Sequence, residues 1–241
     1  MDNDRPRAVL FDLWGTLVPN RPERRDAVAH LMAVDLAVDT GAFAAAIRAS
    51  HRERFAGLTG SLAETLRLLA ACCGGDPDAD AVERAATRRL ELTRELLAAD
   101  AETLATLDAV RAAGWRLGLV SDSSIETPAV WSGCPLSSRF EAAGFSCLVG
   151  VRKPRPEIYL HVTRSLGVAP PECVYVGDGD SRELSGAAAL GMSVLRLRLA
   201  SGGASGHYEG DTAFVGPEIA QLEELLSHPF LTAAEPRSTL A

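Results

Sequence analysis

Asp12 closes the apolar run in VLFDLWGTL, Ser121 closes the one in WRLGLVSD, Lys153 sits in GVRKPRP, and Asp178 closes CVYVGDGDS. Four chemically capable groups thus fall at or just beyond the ends of short hydrophobic stretches. A carboxylate can attack phosphorus if the approach is in line and if cations and dipoles offset the equatorial oxygens. Lys153 supplies a compact positive charge, and Pro154 after it favours an extended preceding residue. Ser121 brings a hydroxyl into a loop whose backbone amides can also face an anion. Asp12 and Asp178 offer hard oxygen ligands, which suit Mg²⁺ better than zinc. Glu183, about one and a half helical turns beyond Asp178, is spaced to hold a metal-bound water or to orient Lys153. Asp180 is spaced to cap the helix that follows.

Trp14 stands two residues after Asp12. An indole does not titrate near neutrality, so it can neither protonate a leaving group nor activate water. Chemistry begun at Asp12 must be completed without a carboxylate at position 14. His30 and His51 are alternative proton carriers, although a histidine in an alanine-rich helix is commonly a surface or packing residue. Trp14 and Trp131 also suit plain packing roles, and Arg182 suits either an anion contact or simple solvation.

These groups need elements that carry them to one place. Ala8 to Leu13 reads as a buried strand closed by Gly15. From about Arg24 to Ala99 apolar residues recur at helical spacing, and breaks at Thr40-Gly41, Thr59-Gly60 and Gly74-Gly75-Asp76-Pro77 divide the block into about four helices. Helix ETLATLDAVRAAG, strand WRLGLVSD, the segment SRFEAAGF with the short apolar Cys147 to Val149, helix PEIYLHVTRSLG, strand CVYVGDGDS, helix RELSGAAALG and strand SVLRLRL follow. This alternation is an α/β pattern with a mostly parallel sheet, whose ligand crevice lies at the carboxyl ends of the strands. Ser201 to Gly210 reads as a flexible glycine-rich loop, and the segment from Pro229 as a mobile end.

The chain has 241 residues, 47% of them hydrophobic, which suffices for a large core. A formal charge of -8 without a basic stripe argues against nucleic acid as a partner. No segment reaches the roughly 18 uninterrupted apolar residues of a membrane span, and the start does not resemble a secretory leader. The expectation is therefore a cytoplasmic protein, while Asp12, Ser121, Lys153 and Asp178 point to a small anionic or phosphorylated metabolite as partner of a monomer or homodimer. Five scattered cysteines with no spaced C-x-x-C argue against a disulfide framework or a zinc site.

In their order, the blocks FDLWGTL, LVSD, VRKPRPEIY and VGDGDSREL with GAAALGM resemble the haloacid dehalogenase superfamily, a group dominated by phosphohydrolases, over almost the entire chain. The resemblance implies a Rossmann-like α/β core of residues 1–20 and 100–228. It also implies an inserted α-helical cap of the C1 type over 21–99, with 229–241 left as a tail. It implies a covalent aspartyl intermediate at Asp12 and a transferring group bound by Ser121 and Lys153, with Trp14, Gly15, Thr16 and Asp122 also on the substrate side. Mg²⁺ would be held by Asp12, Asp178 and the backbone carbonyl of Trp14, with Glu183 as an outer partner. Family phosphatases normally carry a second aspartate where this chain has Trp14, which points to acyl, enol or aryl phosphates whose leaving groups are stable as anions.

Two rivals remain. Members that hydrolyse 2-haloacids also carry an aromatic at this position, but they usually work without Mg²⁺ and differ in the block containing Asp178. A catalytically impaired binding or regulatory protein is the other. A phosphonate hydrolase would want a Schiff-base lysine in the cap, and Arg24 to Ala99 contains none.

Overall fold

The computed structural model describes residues 7–198 and 210–232. The expected loop at 201–210, apart from Gly210, and the end beyond residue 232 lie outside these. Six strands, β1 (Ala8–Phe11), β2 (Arg116–Ser121), β3 (Ala142–Phe145), β4 (Cys173–Gly177), β5 (Ser193–Leu197) and β6 (Glu218–Ile219), form one parallel sheet in the order β3-β2-β1-β4-β5-β6. Successive strands run outward from β1 on one side and from β4 on the other. The order therefore reverses between them, and the crevice beyond their carboxyl ends is where such sheets bind ligands.

β1 is apolar throughout because it is covered on both faces. Its period-two alternation sends Val9 and Phe11 into one hydrophobic cluster and Ala8 and Leu10 into another. The helices between β1 and β2 are α1 (Pro22–Asp35), α2 (Thr40–Ala49), α3 (His51–Phe55), α4 (Leu62–Cys72), α5 (Ala79–Leu96) and α6 (Ala101–Ala112). Residues of α1, α2, α4 and α5 build a third cluster of their own around Met32, Phe43, Leu66 and Leu69. The remaining helices are α7 (Glu126–Trp131), α8 (Ser146–Val149), α9 (Pro156–Leu166), α10 (Glu183–Ala189) and α11 (Pro229–Thr232), the last burying Leu231.

Local chemistry sets several helix ends. Ser61 and Glu64 form a reciprocal capping box at the start of α4, and Asp39, Asp78 and Asp100 cap α2, α5 and α6. Three details differ from the pattern read in the sequence. Thr40-Gly41 opens α2 rather than breaking the chain, because Asp39 caps it. AFAAAIRASHRERF is two helices instead of one: the Ser50 hydroxyl donates to the Ile47 carbonyl and accepts from Arg54 Nε, competing with the helical pattern at the junction. In the segment after β2 the strand is AAGF, whereas Cys147–Val149 is helical, with the Ser146 hydroxyl fixing α8 to the backbone of Ser123.

Candidate active site

β1 delivers Asp12, and the pairing with β4 continues one residue further, since Asp12 N donates to the Val176 carbonyl at 2.9 Å. The backbone of the carboxylate is therefore fixed before its side chain meets anything. Lys153 arrives from the loop between α8 and α9. Its ammonium donates to Asp12 Oδ1 at 2.5 Å and to Glu183 Oε2 at 2.6 Å, and its side chain is 3% exposed. Thr16 donates its hydroxyl to the other Asp12 oxygen at 3.0 Å. Asp12, Asp178 and Glu183 each offer an oxygen within 4.8 Å of the other two.

Three carboxylates around one ammonium leave two negative charges in excess, and the electrostatics register it. Burial, with Glu183 and Asp12 nearby, pushes the Asp178 carboxyl up to about 9. Burial and Asp12 push Glu183 up to about 7 despite its bonds to Lys153 and Gly179 N. Burial alone would lower Lys153, but Asp12, Glu183 and Asp122 outweigh it and hold the ammonium well above its ordinary value. Such an oxygen set could hold a hard divalent cation.

The surroundings fix this cluster tightly. Glu183 accepts from Lys153, from the Tyr175 hydroxyl at 2.8 Å and from Gly179 N at 3.0 Å, while the Tyr159 hydroxyl holds its carbonyl. Ser181 and Arg182 take left-handed φ values of 58° and 55°, turning the chain so that Glu183 folds back on Lys153. For non-glycine residues that conformation costs roughly 1–2 kcal/mol each, which the bonds at Glu183 offset. Gly15 has φ 88°, and a Cβ there would collide with the Asp178 carboxylate. Only glycine lets the turn after Asp12 approach Asp178 so closely. Asp122 accepts from Lys153 N at 3.0 Å and from Arg152 Nε at 3.3 Å, so it braces the loop that carries the ammonium. Ser121 is fully buried, and its hydroxyl has no hydrogen-bond partner among the described residues. A buried hydroxyl left without a partner, next in the chain to the Val120 carbonyl that faces the Lys153 ammonium, is free to meet an incoming polar group.

A cavity opens over the cluster, lined by Asp12, Trp14, Arg25, Asp122, Lys153 and Asp180, among others. The Arg25 guanidinium lies over the Trp14 ring, 4.3 Å from its centroid. Arg25, Asn20 and Phe55 line this cavity without having been singled out in the sequence, where an arginine in an arginine-rich helix gives no signal of its own. Other candidates fall elsewhere. His30 is exposed on α1 and does not line the cavity. His51 stacks on Phe55 at 4.0 Å and lines a neighbouring cavity instead. Trp131 packs with Phe140 and Phe145 in the core, and Arg182 is exposed. Asp180 opens a short 3-10 turn and donates its N–H to Asp178, without a side-chain cap there.

A family model described as haloacid dehalogenase-like hydrolase matches residues 6–191. A glyceraldehyde 3-phosphate phosphatase of Methanopyrus kandleri is 28% identical over 204 residues, which cover 80% of this chain and 84% of that one. The structure of a HAD phosphatase from Thermococcus onnurineus is similar at a TM-score of 0.62, with 22% identity, over 92% of this chain and 96% of that one. An L-2-haloacid dehalogenase from Xanthobacter autotrophicus, with chloropropionic acid covalently bound, is similar at 0.60, with 21% identity, over 92% and 97%. The two structural likenesses show the fold alone. It is shared by a phosphatase and a dehalogenase, so the side chains of the site must discriminate between the two chemistries.

Proposed function

The chain belongs to the haloacid dehalogenase-like hydrolases, and we propose that within this family it is a Mg²⁺-dependent phosphohydrolase of a small phosphorylated metabolite, working through an aspartyl-phosphate at Asp12. The observation that carries this reading is the cluster of three carboxylates closed by a single ammonium, which lacks a divalent cation's worth of charge. A metal-independent carbon–halogen hydrolase would not need a divalent cation among these three carboxylates.

Asp12, Asp178 and the backbone carbonyl of Trp14 would hold Mg²⁺, which when bound supplies positive charge to the phosphoryl oxygens. Lys153 shares that task, oriented by Glu183. The Ser121 hydroxyl and nearby amides take the remaining oxygens. Thr16 and Lys153 hold the Asp12 carboxylate, one on each oxygen, so that its attack needs no reorientation. As the Asp12–phosphorus bond forms, the bond to the leaving oxygen breaks and its electron pair stays on that oxygen. Trp14 offers it no proton. Arg25 over the indole offers positive charge, so leaving groups already stable as anions are favoured: acyl, enol or aryl. The helices over 21–99 would act as the cap that selects among them.

The test is phosphate release from acetyl phosphate, 4-nitrophenyl phosphate and ethyl phosphate with and without Mg²⁺, together with mass spectrometry of the Asp12 peptide. Magnesium-dependent release from the first two, lost in Asp12→Asn, is expected. Halide release from short 2-haloacids in EDTA, with no phosphate release from any ester, would overturn the reading in favour of a dehalogenase. Silence in both assays would leave a binding or regulatory protein.

A further inference from the structure

Beside the cavity over Asp12 lies a larger one of about 330 Å³, enclosed by α1, the α2–α3 junction and Arg89 of α5. The two share Asn20, Arg25 and Phe55, so they adjoin at these three side chains, and the larger one reaches the surface at Arg48 and Arg52. Its lining holds five arginines and His51 against a single carboxylate, Asp26. Two of those arginines are committed elsewhere: Arg89 bonds Glu126, and Arg54 bonds Ser50, Ser124 and the Ile47 carbonyl. Arg25 covers Trp14. Arg48 and Arg52, on either side of the Ser50 break, are in no ion pair among the described residues. Ile47, Ala29 and Ala44 add apolar surface to its lining.

Size and charge together describe an occupant. At about 30 Å³ per liquid water, the space equals roughly eleven waters, and it falls at the lower end of organic-ligand pockets, roughly 300–1,000 Å³. Inorganic phosphate or a very short phosphate ester held at Asp12 would leave it empty. Surplus guanidinium charge around it calls for an anion, since arginine pairs best with carboxylate or phosphate oxygens.

We infer that the substrate is dianionic at its two ends: a phosphoryl group at Asp12, an apolar linker past Phe55, and a terminal carboxylate or phosphate held by Arg48 and Arg52. This deepens the phosphohydrolase reading and rests on it for which end is cleaved. The anion site itself can be measured without turnover.

The experiment is calorimetric titration of the Mg²⁺-loaded full chain with three matched series of graded chain length: alkylphosphonates, ω-carboxyalkylphosphonates and α,ω-alkanediphosphonates. At one length a doubly charged series should bind at least tenfold more tightly than the alkylphosphonate, and which series does so identifies the terminal group. In the Arg48→Gln/Arg52→Gln variant the ratio should fall to about one, and in Arg48→Lys/Arg52→Lys most of it should return. Both positions are exposed, and thermal melts of the variants would verify that they fold. Equal affinity of all three series for the wild type, a preference surviving in the glutamine variant, or no binding by any series would overturn the inference. A preference that depends on these arginines in a protein that releases no phosphate would leave the anion site standing and remove only the phosphohydrolase reading.

Discussion

At position 14 the protein has an aromatic ring capped by a guanidinium, and both line the cavity over Asp12. Charge without a transferable proton should make the reaction steeply sensitive to the leaving group. Restoring an acid by Trp14→Asp should raise ethyl phosphate hydrolysis by about 10²-fold or more, the usual worth of general acid–base help. It should change 4-nitrophenyl phosphate hydrolysis far less, and rates on both esters would show it. Removing the cation by Arg25→Gln should do the reverse: the slope of log kcat/KM against leaving-group pKa should become more negative across a series of aryl phosphates. An unchanged slope, whatever the loss in rate, would mean that Arg25 only packs. Gly15→Ala should abolish Mg²⁺-dependent activity, because the new methyl would meet the Asp178 carboxylate and the backbone is left-handed there.

Between elements, one contact that ties the helical block to the sheet side is made by Glu126 at the start of α7. It is buried, pairs with Arg89 of α5 and accepts from Ser124, to which Arg54 of α3 also donates. Burial alone would raise this carboxyl, but Arg89 and Arg54 outweigh it and bring it down to about 2. A depressed folded pKa gives stability that is fully present above the ordinary carboxylate value of 4.5 and lost as pH falls from there toward about 2. The shift corresponds to roughly 3 kcal/mol. Urea melts between pH 6 and pH 2.5 should show that loss, and Glu126→Gln should flatten it while lowering stability at neutral pH by roughly 3–5 kcal/mol, the cost of stranding buried partners.

Sequence reasoning could not reach this contact. Glu126 reads as one more acid at a helix start, Arg89 as one of many arginines on an amphipathic helix, and their meeting depends on how α5 docks. What was legible has a local cause: apolar runs ending in acids gave β1, β2 and β4, and proline and glycine marked both ends of α9. β3 escaped because AAGF has no β-branched residue, and the Ser50 break escaped because it turns on the two hydrogen bonds of one side chain. That Asp12 and Asp178 lie together was legible because strand ends in a parallel sheet converge. Arg25, Phe55, Tyr159 and Tyr175 were not, since what makes them matter is a partner distant in the chain.

Over the whole molecule, a metal held by the acidic cluster would make stability its readout. If Mg²⁺ binds the folded chain alone, a concentration of 100 times Kd adds about 2.7 kcal/mol. For a chain of this length that is a rise of roughly 5–10 °C in Tm. Asp178→Asn should lose most of the rise, and an equal effect of NaCl at matched ionic strength would argue against a specific site. The sheet order supports the same view, since residues more than 140 positions apart share one ammonium only because β1 and β4 lie side by side.

Lys153 is the only lysine in the sequence, every other basic side chain apart from histidine being arginine, and its ammonium is locked between Asp12 and Glu183. The folded protein therefore presents no accessible ε-amine. Reagents that acylate lysine side chains will find this one inert in the native state, and the pace at which it becomes labelled will count how often the crevice comes apart.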